Sequence, residues 1–109
     1  MADYRSFTAP TNGNIFSPDA IKKLRMLQND TLLDFLAIDL GIGLTMAQTA
    51  ARAEIGSDSR ARNTRNARRA YDTIVRFRAN AVATDRQGEE LDQKTSELRV
   101  ALLNLGECV

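Results

Sequence analysis

Three observations predict a small all-α protein, an antiparallel helical bundle of three long helices plus a short N-terminal helix. Residues 31–53 form a long apolar run with helical rather than alternating periodicity. Two later segments, 59–78 and 85–105, repeat apolar residues at intervals of three and four. The connections between these segments are short, which favours antiparallel neighbours.

Residues 1–15 read as an N-terminal tail. They have no period, and Pro10 with the Asn12-Gly13-Asn14 turn interrupts them. The opening residues carry acid and no apolar core, unlike a secretory signal. The bundle domain is expected over residues 16–107. Ser17-Pro18-Asp19 is a helix start: Ser17 is the N-cap, Pro18 takes the first helical position, and Asp19 meets the positive end of the dipole. Phe16 and Ile21 have the spacing of a hydrophobic staple. The short helix is expected to run to about Gln28 on a stripe of Ile21, Leu24 and Leu27, with Lys22, Lys23 and Arg25 outside. Asn29-Asp30 is expected to break the chain; the alternative is one kinked helix from Pro18 to Ala53.

On a helical wheel, Leu32, Phe35, Leu36, Leu40, Ile42, Met46, Ala47, Ala50 and Ala53 share one broad arc, and Asp34, Gly41, Thr45, Gln48 and Arg52 lie opposite. An arc wider than half the circumference predicts a helix covered from two sides. Asp34 and Asp39 interrupt the run, so a membrane span is not expected. Gly41 and Gly43 each cost roughly 1 kcal/mol relative to Ala in a helix interior. Close approach of a neighbouring helix is the expected reason for both, with a kink or a binding notch the alternative.

Glu54 to Asp58 reads as a loop, with Gly56 ending one helix and Ser57 or Asp58 capping the next. The following helix places Ala67, Ala70, Ile74, Phe77 and Ala81 on one seam. Residues 80–83 read as a turn, and Thr84 with Gln87 has capping-box spacing. The last helix carries Leu91, Leu98, Leu102 and Leu105 on its seam and ends at Gly106; Gly88 weakens its first turn.

Residues 40–44, Leu-Gly-Ile-Gly-Leu, resemble the Leu-Gly-x-x-Tyr element of a tetratricopeptide repeat, with Leu44 in place of the aromatic. Residues 67–71, Ala-Arg-Arg-Ala-Tyr, resemble the Ala-x-x-x-Phe element of that repeat's second helix. The spacing departs from the family: Gly41 to Ala67 spans most of a repeat of about 34 residues, and no second copy follows. The chain's texture is also similar to that of small uncharacterised all-helical bacterial proteins. The repeat resemblance implies a helical hairpin that presents a surface to another protein, and it carries over no binding residue.

The chain of 109 residues has a net charge of +1, no histidine and one cysteine. These values exclude an internal disulfide and remove the commonest general base and metal ligand. A cytoplasmic, non-enzymatic protein without cofactor or metal is expected. Charge is nevertheless segregated. Residues 58–78 hold seven arginines against Asp58 and Asp72, while residues 85–109 hold six acids against three bases. Arg62, Arg65, Arg69 and Arg76 share the face opposite Ala67, Ile74 and Phe77 and are the candidate interaction residues. One reading is a solvated face on which Asp72 neutralises Arg68, Arg69 and Arg76 at helical spacing. The alternative is a ridge that contacts phosphates, from a nucleic-acid-binding or regulatory protein.

Asp39 is the candidate buried polar residue, since it falls on the apolar arc among Leu32, Leu36, Met46 and Ala50. An unpaired carboxylate there is costly, so Asp39 is expected to be paired, protonated or at a gap in the cover, with a partner arginine or a helix-end hydrogen bond the favoured reading. Cys108, past Gly106, is expected to be exposed. The expected function is a helical protein–protein interaction module. Four apolar stripes exceed what a monomer must hide, and Tyr71 with Val75 widens one of them, so a homodimer is expected. Protein, self or other, is the expected partner, ahead of nucleic acid and with no membrane.

Overall fold

The computed structural model describes residues 17–109, which form three α-helices: α1, Pro18–Arg52; α2, Asp58–Arg78; and α3, Asp85–Asn104. The tail at 1–15 and the Phe16 half of the expected staple lie outside the described residues. The chain divides into two compact units, with the division between Thr31 and Leu32.

Ser17 starts α1 as its spacing implies: its Oγ accepts a hydrogen bond from the Ala20 N–H at 3.2 Å. The short leading helix does not exist as a separate element, because α1 continues through Asn29-Asp30 for 35 residues in all. Asn and Asp each lower helix propensity by well under 1 kcal/mol, too little to break a helix that has good formers on both sides. The Thr31 hydroxyl donates to the Leu27 carbonyl at 3.0 Å, bridging the expected break. Leu24 and Leu27, expected to face inward, are exposed.

Within Leu32–Val109, one core joins all three helices. It contains Leu36, Leu40 and Ala47 of α1, Ala67 and Ile74 of α2, Leu91, Leu98 and Leu102 of α3, and Ala81 between α2 and α3. The seams of the last two helices are therefore those that the intervals of three and four marked. Along α1, the buried positions are Leu36, Leu40, Gly43, Ala47 and Ala50, a stripe much narrower than the apolar arc. Gly43 lets the helices close up: a Cβ built there lies 2.9 Å from the Ala70 Cβ and 3.0 Å from the Leu98 Cδ2. Gly41 differs, since nothing lies within 4 Å of a Cβ at that position. The packing explanation thus holds for one glycine and fails for the other.

The connections rest on local chemistry. Gly56 has φ +84°, a left-handed conformation that closes the first loop. Ser57 then caps α2 by accepting from the Arg60 N–H. Arg60 reaches back and donates from Nη1 to the Ala50 carbonyl at 3.2 Å, which the Ala53 N–H also reaches, and to the Ala53 carbonyl at 3.4 Å, tying the start of α2 to the end of α1. Before α3, the Thr84 N–H donates to Gln87 Oε1 and the Gln87 N–H donates to Thr84 Oγ1, completing the capping box. With that box in place, α3 begins at Asp85 despite Gly88. After α3, the Glu107 N–H bonds to the Leu102 carbonyl and the Gly106 N–H to that of Leu103. With Gly106 at φ +93°, this is a Schellman motif.

Candidate interaction surfaces

Arg62, Arg65, Arg69 and Arg76 are all exposed on α2, on the side away from buried Ala67, Ala70 and Ile74. The ion pairs of the described residues do not include any of the four. Asp72, expected to serve three arginines, is taken by one: Arg68 Nε lies 3.1 Å from its Oδ1. Arg68 also reaches Glu107 Oε1 at 3.4 Å, which ties α2 to the segment after α3. The hydrogen bond to Asp72 is the first of the effects that hold the Arg68 guanidinium more firmly in its charged form. Arg78 is likewise spent on the fold, pairing with Asp92 of α3 at 3.1 Å. Arg76 lies over the Phe77 ring at 5.3 Å from its centroid. The arginines of α2 thus divide into Arg60, Arg68 and Arg78, which hold the bundle together, and an outward row that makes no ion pair among the described residues.

The second surface is on α1. The apolar arc was expected to be covered from two sides, but α2 and α3 both pack on the Leu36–Ala50 stripe and leave the adjoining sector open. Phe35, Ile38 and Ile42 are 45%, 64% and 48% exposed. Their intervals of three and four set them in line along the helix, and Thr45 and Thr49, also exposed, continue that line. Ile38, Ile42 and Met46 border a shallow hollow floored by Ala37, Gly41 and Thr45. This row was not separable from the core in sequence, because both belong to the same arc.

Asp39 flanks the row. It is half-buried rather than buried, since it stands at the margin of the covered stripe. It makes no hydrogen bond or ion pair among the described residues, so the expected arginine partner is not found there. Burial raises its pKa from the ordinary aspartate value, because it disfavours the charged form. A raised pKa in the folded state contributes stability that is fully present below the unfolded-state pKa and is lost as pH rises through the folded-state value. At neutral pH the charged Asp39 therefore opposes folding. Asp39→Asn is expected to raise the melting temperature at pH 7, with the gain over the parent vanishing below the carboxylate range. A variant that melts lower than the parent at pH 7 would mean that the carboxylate has a partner.

Among the described residues no group of His, Cys, Asp and Glu is placed to hold a metal ion, and no buried side-chain polar atom lacks a hydrogen bond. Cys108 is exposed. No described helix is long and apolar enough to cross a membrane. A groove between α1 and α3, lined by Leu33, Asp34, Ala37, Gln87, Glu90, Leu91 and Lys94, holds acids and a lysine without a converging catalytic set. No protein-family model, curated protein or solved structure matches the chain.

Proposed function

We propose that the chain is a non-enzymatic helical interaction module that pairs with a second copy of itself through the outer row of α1. The observation that carries this reading is the exposure of Phe35, Ile38 and Ile42 in line on one helix, where each is in reach of water at the edge of a packed core. Contiguous exposed apolar surface of this kind marks an interaction site more often than isolated apolar residues do. Spacing by three and four suits a second helix, whose side chains enter the gaps of such a row. A surface that is itself a ridge beside a shallow hollow fits a two-fold related copy, since in that arrangement each copy offers the same ridge and hollow. The flanking acids, Asp34 and Asp39, stand on opposite sides of the row, and α1 has no base between residues 32 and 51 to offset them. The resemblance of the α1–α2 hairpin to a repeat unit that presents a protein-binding surface supports the same class of function.

Light scattering is expected to give twice the chain mass of 12.1 kDa at micromolar concentrations. The double variant Ile38→Glu, Ile42→Glu is expected to scatter as a monomer while keeping its helical circular dichroism. A parent protein that stays at the single-chain mass throughout that range would dispose of self-association.

A further inference from the structure

The outward row of α2 is not used by the proposed pairing, and it has a charge pattern that the fold does not require. Arg62, Arg65 and Arg69 follow one another at intervals of three and four, where like charges on a helix repel. Asp72, three residues past Arg69, is spent on Arg68, which Glu107 also holds, and Asp58, four residues before Arg62, makes no ion pair with it. The bundle therefore carries a run of like charges along this face that no ion pair among the described residues relieves. Local rules broken without a structural gain are expected at functional sites. From these observations we infer that the Arg62, Arg65, Arg69 and Arg76 face of α2 binds the phosphate backbone of double-stranded nucleic acid, without reading its sequence.

Three features select that partner. Every cation in α2 is an arginine, although the chain has lysines elsewhere. The planar guanidinium fork matches phosphate oxygens in pairs, which a point-charge ammonium does not. The face lacks an apolar centre, for Val75 is the one large hydrophobic residue of α2 that is exposed, and it lies off the row. A protein partner would be expected to bury aromatic or aliphatic anchors at such a centre. The aromatic residues of α2, Tyr71 and Phe77, are both half-buried on the inner side and pack against the core. Without a stacking platform, single strands gain nothing from their bases. From Arg62 to Arg76 the row spans about 21 Å of helix, enough to touch several phosphates of a duplex.

The test uses the full-length chain and two unrelated duplexes of about 20 base pairs, with binding followed by fluorescence anisotropy as salt rises. Three to four phosphate contacts predict that affinity falls roughly 40- to 150-fold between about 50 and 200 mM salt, equally for both sequences. Arg62→Gln, Arg65→Gln and Arg69→Gln together are expected to remove most of the binding and to flatten the salt dependence. The melting temperature should not fall, because none of the three is paired within the fold and Gln is as good a helix former. Lys94→Gln on α3 should leave affinity and slope as they are. No detectable duplex binding at the lowest salt would overturn the inference, as would binding that survives in the triple variant. Tighter capture of an acidic polypeptide than of the duplex would overturn it in favour of a protein partner.

Discussion

Gly43→Ala is expected to destabilise the bundle by about 1–3 kcal/mol, the range typical of overpacking a core. Gly41→Ala, two residues away, is expected to stabilise it by up to about 1 kcal/mol. The substitution and the helix are the same, so the difference isolates packing from backbone propensity. At Gly43 the new methyl group would meet the Ala70 Cβ at 2.9 Å and the Leu98 Cδ2 at 3.0 Å. Leu98 can shift its methyl group, but the Ala70 Cβ is fixed to its backbone, so α2 has to move away from α1. That movement loosens the contacts around Leu40 and Ile74 as well. At Gly41 there is open space, and the change acts by reducing the freedom of the unfolded chain. Urea denaturation of both variants checks the pair. If Gly43→Ala is as stable as Gly41→Ala, the helices do not approach as closely as the glycine implies.

The contrast between the two glycines shows where the sequence was legible. Element ends were readable wherever the chemistry is local. Ser57, the Thr84–Gln87 box and Gly106 act on backbone groups within a few residues, and each acts as its spacing predicted. Core seams on α2 and α3 were readable because the buried apolar residues of each recur on one face, with only Val75 on α2 and Val100 and Leu103 on α3 as large exposed hydrophobics off it. At Asn29-Asp30 the weak propensities do not interrupt the helix, and the alternative of one helix continuing from Pro18 is the one that forms, ending at Arg52.

The surfaces were harder to foresee, for a geometric reason. On α1 the apolar arc is wider than the sector that two neighbouring helices cover, and periodicity does not say which margin stays uncovered. By periodicity Phe35 and Ile42 belong with Leu36 and Leu40, and Asp39 lies at the margin of the covered stripe rather than deep in it. On α2 the four candidate arginines were found by their common face, but their freedom from pairing was not. Arg68, Arg69 and Arg76 compete for Asp72 at similar spacing. The choice of Arg68 goes with a second acid, Glu107, which is distant in sequence and which the Schellman turn after α3 brings near.

The two faces of α1 lead to the prediction with the largest effect on stability. Leu40→Ala is expected to cost about 2–5 kcal/mol, since Leu40 is fully buried among all three helices and truncation leaves a cavity. A domain of this size has a total stability of about 5–15 kcal/mol, so the variant stands close to unfolding. Ile42→Ala removes the same number of carbons two residues further along the same helix. It is expected to cost the monomer well under 1 kcal/mol, because Ile42 is 48% exposed and leaves no enclosed cavity. If the outer row pairs two copies, the two variants also differ in how their effects depend on concentration. The loss in Leu40→Ala should be the same at every protein concentration. The loss in Ile42→Ala should be small in dilute solution and grow as the parent dimerises, because only the associated state buries the side chain. Thermal melts of both variants over a hundredfold range of concentration separate a core residue from an interface residue. Equal losses at both positions in dilute solution would place Ile42 in the core and leave the outer row without its proposed role.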